Sequence, residues 1–258
     1  MKIIISPAKK MKVDTDSLDF LGLPQFLPQA QAIKHYMQSL TDAELQALWR
    51  CNDSIAKLNI QRLRNMDLQH NLTPAILAYE GIQYQYMAPS VFEDGQFDYI
   101  QSHLCILSGF YGLLRPFDGI VPYRLEMQAK LSVNGCKDLY FYWGDKPSKQ
   151  ISSQDFILNL ASKEYSRVIT THLPKKVPVI TCVFGELIDG KIQEKGTFCK
   201  MARGEMVRFL AEHHITSQDE VKSFHHLGYT YSEKHSNNTT YVFLKGEENY
   251  AGSKHKSP

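Results

Sequence analysis

The fold class is indicated first by residues 2–9, which read KIIISPAK. Three consecutive isoleucines end at Ser6-Pro7, and this combination predicts a short buried strand followed by a loop. Sheets of α/β proteins keep their ligands at the carboxyl ends of their strands. We therefore expect Ser6 and Lys9 to lie at the functional edge of a sheet.

Working outward, the sequence predicts helices followed by further buried strands. Apolar residues recur every three or four positions from 29 to 63, with a break at Thr41-Asp42 where either residue suits a helix N-cap. Helices are also predicted at 73–79 and just before His103. Residues 104–107 are apolar and predict a buried strand, whereas residues 155–160 fit either a strand or a helix.

The C-terminal half predicts two hairpins around one helix. Asp189-Gly190 separates the runs 177–184 and 191–198, and Pro178 favours an edge position for the first run. Residues 201–213 are predicted to be helical, and residues 228–231 and 240–244 to form the last hairpin. The mixed order predicts an α/β or α+β fold, a single compact unit around a central mixed sheet. We expect one domain over residues 1–245 and a flexible tail at 246–258.

Composition excludes several classes of protein. The 258 residues carry 29 Lys and Arg against 27 Asp and Glu, so net charge alone does not argue for a nucleic-acid or membrane partner. No apolar run approaches the roughly 20 residues of a membrane helix, and the N-terminus lacks a signal-peptide pattern, so a cytoplasmic protein without a membrane partner is expected. Five scattered cysteines predict free thiols. Adjacent histidine pairs are poor ligand sets, so we expect no metal and no cofactor.

Residues 108–118, SGFYGLLRPFD, and 122–127, PYRLEM, hold the densest group of chemically capable side chains. Glycines allow close backbone approach, and Arg115 and Arg124 can donate two hydrogen bonds to a phosphate or carboxylate. The alternative is a structural turn in which these arginines pair with Asp118 and Glu126.

Two other segments are candidates for contact with phosphates. Lys200, Arg203 and Arg208 form a basic stripe on the predicted C-terminal helix, or else a solvated helix face. Residues 57–62, KLNIQR, lie between two helical patterns, as the turn of a helix-hairpin-helix element would. Such elements bind duplex backbone through amides and helix N-termini, usually with glycines that are absent here.

Three further residues have competing interpretations. Trp143 can stack on a base, although tryptophan is more often a core residue. Asn159 and Ser162 can contact a ligand or shape their own loop through local hydrogen bonds.

Together these segments resemble the YaaA family of bacterial peroxide-stress proteins, nearly from end to end. The resemblance is carried by ISPAK at 5–9, LSG at 107–109, YG at 111–112, LRP at 114–116, PYRLEM at 122–127, WGD at 143–145, NLAS at 159–162, EY at 164–165, Lys200, and ARG at 202–204.

The resemblance implies a cytoplasmic protein that limits damage during hydrogen peroxide stress and is linked to iron homeostasis. It also implies a fold peculiar to the family and DNA binding through a positively charged cleft with a helix-hairpin-helix-like element. The sequence departs from the family pattern at two places, and both weaken the expectation of DNA binding. Residues 57–62 lack a glycine, and Met201 stands where family members often carry a second lysine.

We therefore predict a DNA-binding protein of the peroxide response, acting as a monomer on double-stranded or damaged DNA. The expected DNA- or phosphate-binding residues are Lys9, Lys57, Arg62, Arg115, Arg124, Lys200 and Arg203. The expected cleft-lining residues are Ser6, Ser108, Gly109, Tyr111, Gly112, Tyr123, Trp143, Asn159 and Ser162.

The alternative is an enzyme that acts on a nucleotide or nucleic acid in the same cleft. Lys9, Arg124 and Glu126 are its candidate catalytic residues, because they combine proton-transfer and anion-binding groups on loops beside predicted strands. Direct iron sequestration is disfavoured, because the histidine and carboxylate spacings form no dedicated site.

Overall fold

The computed structural model describes residues 1–246, so residues 247–258 of the predicted tail lie outside the described part of the chain. Within it the helices are α1 (Leu27–Gln38), α2 (Asp42–Trp49), α3 (Asp53–Arg64), α4 (Ala75–Ala78), α5 (Ile82–Met87), α6 (Asp94–His103), α7 (Leu139–Trp143), α8 (Lys146–Lys149), α9 (Lys163–Thr170), α10 (Gly196–Glu212) and α11 (Gln218–Val221). Short 3-10 helices lie at Pro89–Val91, Val133–Gly135 and Glu233–His235.

The strands are β1 (Lys2–Ile5), β2 (Lys10–Met11), β3 (Thr73–Pro74), β4 (Tyr79–Glu80), β5 (Leu104–Ser108), β6 (Gly112–Leu114), β7 (Gly119–Ile120), β8 (Ile157–Asn159), β9 (Val179–Ile188), β10 (Lys191–Gln193), β11 (Tyr229–Tyr231) and β12 (Thr240–Lys245). The large sheet has the order β11-β12-β9-β8-β1-β5-β6, and β10 pairs with β9. The small pairs β2-β4 and β3-β7 lie outside it.

Strand β1 lies at the centre of the large sheet, parallel to β5 on one side and to β8 on the other. Strands β8, β9 and β12 continue the parallel pairing, and β6 and β11 add antiparallel strands at the two ends. The three isoleucines of β1 are fully buried, as expected of a parallel strand covered on both faces. The predicted mixed α/β unit around a central mixed sheet is confirmed.

The connections reverse direction between β1 and β8. The chain passes from β1 to β5 on one side and later returns to β8 on the other, from which it continues outward to β9 and β12. Such a switch point leaves a crevice at the carboxyl ends of the two strands, where α/β proteins bind ligands. The topology alone therefore identifies the carboxyl end of β1 as the expected position of a ligand site.

The predicted turn at residues 57–62 is wrong, because these residues lie inside α3. The Asn59 amide donates to the Ile55 carbonyl one turn earlier, at 2.8 Å. The connection between α2 and α3 is instead at residues 50–52, where Arg50 has a left-handed φ of 46°. Asn52 caps α3 by accepting from the Ile55 amide, and Thr41 caps α2 in a capping box, as the break at Thr41-Asp42 predicted.

The C-terminal half differs from the prediction at two boundaries. Strand β9 lies inside the sheet between β8 and β12, so the edge position inferred from Pro178 is wrong. Pro178 precedes the strand, and its carbonyl accepts from the Ile157 amide. Strand β10 ends at Gln193 and helix α10 begins at Gly196, so residues 196–198 are helical. Both predicted hairpins are present, and residues 157–159 form a strand.

No helix in residues 1–246 combines the length and apolar character that crossing a membrane requires.

Candidate functional site

A pocket of about 580 Å³ opens at the carboxyl ends of β1 and β8. Ser6 follows β1 and Ser162 follows β8, and the Ser162 amide donates to Ser6 Oγ at 2.8 Å across the switch point. The Tyr84 hydroxyl donates to the Ser6 carbonyl at 3.1 Å. Three segments that are distant in sequence are therefore fixed together at the base of the pocket.

The lining residues are Ser6, Pro7, Ala8, Lys9, Lys10, Glu80, Gly81, Ile82, Gln83, Tyr84, Tyr123, Arg124, Leu125, Glu126, Ser162, Glu164, Tyr165, Lys200 and Arg203. Five of them are Lys or Arg and three are Glu, an excess of two positive charges. This local excess of positive charge is a feature that the composition of the whole chain, 29 Lys and Arg against 27 Asp and Glu, does not locate. A pocket of this volume falls within the range of about 300–1,000 Å³ that is typical of small-molecule sites.

The first wall, which we call the Glu126 wall, contains Lys9, Arg124 and Glu126. Glu126 Oε1 lies 3.3 Å from Lys9 Nζ and 3.3 Å from Arg124 Nη2. These distances define ion pairs, yet neither contact has hydrogen-bond geometry, and Glu126 Oε1 and Arg124 Nε lack a hydrogen-bond partner. Arg124 and Glu126 are largely buried, so leaving hydrogen-bonding capacity unused in these two side chains is costly.

The second wall, the Arg203 wall, contains Gln83 of α5 with Lys200 and Arg203 of α10. The two helices approach at Gly204, where an added Cβ would lie 2.0 Å from the Gln83 carbonyl oxygen. Arg203 has one distant ion pair, 3.8 Å from Glu194. Its Nε and Gln83 Nε2 are also buried without a hydrogen-bond partner.

Unpartnered buried polar atoms are therefore concentrated at this pocket. Among the residues that the structure describes, five buried side-chain atoms lack a hydrogen bond, and four of them belong to pocket-lining residues. The fifth is Trp49 Nε1. Folded proteins pair nearly all such atoms, so a cluster of exceptions in one concavity makes it the candidate site for a polar ligand.

Helix α9 supplies the third side of the pocket with Glu164 and Tyr165. Burial raises the pKa of Glu164, although the hydrogen bond from the Gln128 amide opposes this effect. Burial also raises the pKa values of Tyr84 and Tyr165, and that of Tyr123 to about 12. These phenols remain neutral at physiological pH and offer aromatic faces and hydroxyl groups.

A buried hydroxyl network supports Tyr123 from behind. Ser108 Oγ accepts from the amides of Phe110 and Tyr111, at 3.1 and 2.9 Å. Since both lone pairs are then engaged, we assign the Ser108 proton to the Tyr123 oxygen at 2.6 Å. Tyr123 also shares a 2.7 Å hydrogen bond with Tyr79. Behind the Glu126 wall, Gly109 leaves no space for a Cβ, which would lie 2.6 Å from the Leu125 carbonyl oxygen.

The structure brings eight of the predicted site residues to this pocket: Ser6, Lys9, Tyr123, Arg124, Glu126, Ser162, Lys200 and Arg203. The other members of the predicted cleft lining are Ser108, Gly109, Tyr111, Gly112, Trp143 and Asn159, and they are outside the lining. Trp143 is fully buried, and its Nε1 donates to the Gly109 carbonyl. The Asn159 side chain accepts from the Ala161 amide and shapes the loop before Ser162.

Three of the predicted phosphate contacts also lie outside the pocket lining. Arg115 pairs with Asp118 at 2.8 Å, which is the structural alternative stated for this turn. Arg62 donates to the Met11 carbonyl at 3.2 Å. Lys57 is exposed on α3.

Sequence reasoning missed a further set of lining residues: Lys10, Glu80, Gln83, Tyr84, Glu164 and Tyr165. A signal existed for two of them, because Glu164 and Tyr165 follow Ser162 by two and three positions. Glu80 and Lys10 meet through the pairing of β4 with β2, and Gln83 and Tyr84 belong to α5, which packs on α10.

Metal ligation has no structural counterpart within residues 1–246, where no group of three His, Cys, Asp or Glu is placed to hold an ion. A second depression of about 500 Å³ lies between α1 and residues 66–69. Only Lys34 and Asp67 are charged among its lining residues.

Thiol reactivity is expected to be low at three of the five cysteines. Burial raises the pKa values of Cys105 and Cys199 to about 11 and also raises that of Cys182. At pH 8 a thiol with such a pKa is ionised in about one molecule in a thousand. Iodoacetamide should therefore label the half-exposed Cys51 and Cys136 first, as peptide mass spectrometry of the native protein can show. Equal labelling after unfolding is the control, and early native labelling of Cys199 would contradict the assignment.

The fold and the pocket define a mixed α/β protein with a positively charged concavity at the switch point of its sheet. Comparison with known proteins identifies the family: the chain belongs to the peroxide stress protein YaaA family, whose model matches residues 1–235. Membership supports a role in the peroxide stress response.

Curated relatives match along nearly their whole length. A UPF0246 protein of Desulfitobacterium hafniense is 55% identical over 246 residues, covering 95% of this chain and 98% of the relative. A UPF0246 protein of Lachnoclostridium phytofermentans is 53% identical over 250 residues, covering 96% and 98%. One from Pediococcus pentosaceus is 51% identical over 248 residues, covering 96% and 99%.

Proposed function

We propose that this chain acts in the peroxide stress response by binding double-stranded or damaged DNA as a monomer. The observation that supports the proposal is the concentration of five Lys and Arg side chains around one pocket. Lys9, Arg124, Lys200 and Arg203 would contact phosphates there. Cations in a cleft provide affinity that depends on salt and little on sequence.

DNA binding offers a physical route to peroxide resistance. Ferrous iron bound along DNA converts peroxide to hydroxyl radical next to the bases. A protein that covers the duplex, or assists its repair, would reduce the resulting lesions. The proposal therefore connects the family's role to the charge of the pocket.

The affinity for DNA should fall steeply with salt and should depend on the Arg203 wall. Each phosphate contact contributes a slope of roughly −0.9 in log K against log salt. The double variant Lys200→Glu/Arg203→Glu removes two contacts, so its slope should be shallower by about 2. Fluorescence anisotropy with duplex, bubble and single-stranded DNA across a salt series measures both quantities.

The matched control is Lys175→Glu/Lys176→Glu. This variant changes the net charge by the same amount. Lys175 and Lys176 are exposed and precede β9, at the amino ends of the parallel strands, whereas the pocket lies at their carboxyl ends. Equal losses in the two double variants would reduce the effect to net charge and overturn the proposal. The Lys200→Glu/Arg203→Glu variant should also fail to restore peroxide survival to a deletion strain.

The DNA footprint extends beyond the pocket in this proposal, because Lys57, Arg62 and Arg115 provide further positive charge. Lys57 and Arg62 belong to α3, which together with α2 and the turn at 50–52 would act as the helix-hairpin-helix-like element. Charge reversal at Lys57 should reduce the salt slope by about 1 if the residue contacts a phosphate.

An enzyme acting on a nucleotide or nucleic acid is the second candidate. It is favoured by Glu126, a largely buried carboxylate with an unpartnered oxygen between Lys9 and Arg124. Such a group can accept a proton from a bound substrate. Chromatography of DNA and nucleotides after incubation with the protein and with Glu126→Gln would reveal product that only the unaltered protein forms.

A further inference from the structure

The pocket is too small for a double helix, although its charge suits nucleic acid. Its volume of about 580 Å³ matches a molecule of metabolite size. A B-form major groove alone is about 12 Å wide and must remain outside such a concavity. What enters the pocket is therefore a small ligand or one residue of a strand.

The two walls make different chemical demands on that ligand. Arg124 Nε, Arg203 Nε and Gln83 Nε2 are buried donors without acceptors. Arg124 and Arg203 line the pocket, where a phosphate can accept charge-assisted bonds from their guanidinium groups, and such bonds are short and strong. Lys200 on the same helix as Arg203 adds a further cation at the pocket.

A simple anion would bind the cations but would offer no hydrogen-bond donor to the carboxylates of the pocket. Glu126 Oε1 has ion pairs with Lys9 and Arg124 at 3.3 Å but no hydrogen bond, and Glu164 adds a second carboxylate to the lining. These oxygens can accept from N–H or O–H groups on the ligand, and they would repel a second anionic group. Tyr84, Tyr123 and Tyr165 add aromatic surface around the carboxylates. The ligand must therefore combine an anionic group with a planar group that carries hydrogen-bond donors.

We propose that the switch-point pocket holds a single nucleotide. Its phosphate lies against Arg203, Lys200 and Arg124, and the donor-bearing part of its base or sugar faces Glu126. If the nucleotide belongs to DNA, this inference rests on the proposed function. A nucleotide of a duplex must also leave the base stack before it can enter the pocket. The same chemistry is present in a free mononucleotide, so two sources are compared below.

The first test uses free ligands and the full chain. Isothermal titration calorimetry is run with each deoxynucleoside monophosphate, the matching deoxynucleosides and inorganic phosphate. If both walls act on one ligand, a mononucleotide binds at least about tenfold more tightly than either of its parts. Inorganic phosphate that binds as tightly as every mononucleotide would overturn the proposal, since it would identify a simple anion site.

Two variants of α10 localise the site. Arg203→Gln removes a lining guanidinium and should weaken mononucleotide binding about tenfold or more. Arg208→Gln is the matched control, because Arg208 lies on the same helix and pairs with Glu212 at 2.7 Å outside the lining. Glu126→Gln should weaken mononucleotide binding without weakening the binding of inorganic phosphate, because it removes a negative charge beside Arg124. Equal effects of Arg203→Gln and Arg208→Gln would contradict the assignment.

The second test distinguishes the sources of the nucleotide. A duplex with 2-aminopurine opposite an abasic site becomes more fluorescent when that base leaves the stack. A rise that Arg203→Gln abolishes and that free mononucleotide competes away supports an extruded residue. Binding of free mononucleotides with no rise supports the free nucleotide as the ligand.

The anisotropy measurements separate this inference from DNA binding itself. Salt-dependent duplex binding without mononucleotide binding and without a 2-aminopurine signal would overturn the nucleotide pocket and leave the DNA proposal intact. Mononucleotide binding without duplex binding would retain the pocket and remove DNA as the partner.

Discussion

Replacing Gly204 with alanine is expected to lower the midpoint of thermal unfolding by roughly 6–12 °C and to weaken ligand binding at the Arg203 wall. The new Cβ would lie 2.0 Å from the Gln83 carbonyl oxygen, 2.9 Å from its carbon and 3.0 Å from the Met87 nitrogen. All three are backbone atoms, so no side chain can rotate away. Helices α5 and α10 must separate, at a cost of about 3 kcal/mol or more.

The control for this substitution lies in the same helix. Gly196 begins α10, has no neighbouring atom within 4 Å of a built Cβ, and has no positive φ. Gly196→Ala should therefore leave the unfolding midpoint within about 2 °C of the unaltered protein, since surface substitutions rarely change stability by more than about 0.5 kcal/mol. Calorimetric melts of both variants, followed by titration with DNA, measure the stability and the pocket together. If Gly204→Ala and Gly196→Ala have the same unfolding midpoint, the contact between α5 and α10 does not hold the Arg203 wall in place.

Replacing Gly109 with alanine is expected to destabilise the protein by about 2–3 kcal/mol and to displace the Glu126 wall. The built Cβ lies 2.6 Å from the Leu125 carbonyl oxygen, 3.0 Å from the Glu126 carbonyl carbon and 3.1 Å from the Met127 nitrogen. The segment that carries Arg124 and Glu126 must move outward to make room. Urea denaturation should show a lower midpoint with an unchanged slope.

Tryptophan fluorescence provides a local readout of that displacement. Trp143 Nε1 donates to the Gly109 carbonyl at 3.0 Å, and the only other tryptophan in the chain is Trp49. In a Trp49→Phe parent the emission reports Trp143 alone, and Gly109→Ala should shift it to longer wavelength. Gly196→Ala in the same parent is the control. An unchanged spectrum together with an unchanged urea midpoint would show that the segment tolerates the methyl group.

The parts of the fold that sequence predicted correctly have strong local signals. A run of three isoleucines before Ser6-Pro7 marks β1, and Asp189-Gly190 takes the two positive φ values that a tight hairpin needs. The threonine at 41 caps α2 with the help of Glu44 three residues later. In each case the determining residues are neighbours in the chain.

The α2–α3 connection was misplaced because its signal is weak. Arg50 adopts a left-handed conformation, which sequence rules assign to glycine or asparagine. Asn59, which suits such a position, is instead buried in α3 and bonded within the helix. Tertiary packing overrode the local preference of both residues.

The candidate site was predicted only in part, because some of its residues have a local sequence signal and others do not. Ser6 and Ser162 could be placed together because each follows a buried strand, and Lys200 and Arg203 because they share a helix. Gln83 could not, because nothing near it in sequence indicates that α5 meets α10. Gly109 and Trp143 were predicted to line the cleft, since glycine next to an aromatic residue suits both ligand contact and close packing. The structure shows the close packing.

The central position of β1 has a consequence for folding during synthesis on the ribosome. Ile3 pairs with Leu104 on one side and with Leu158 on the other, so β1 is synthesised before both of its neighbours, and β8 follows much later. At about 5–20 residues per second, that neighbour is synthesised on the order of ten seconds or more afterwards. During this interval the isoleucines have no native cover, and nascent-chain chaperones are the expected protection. Because the pocket lining runs from Ser6 to Arg203, translation products that stop before α10 should not form the pocket.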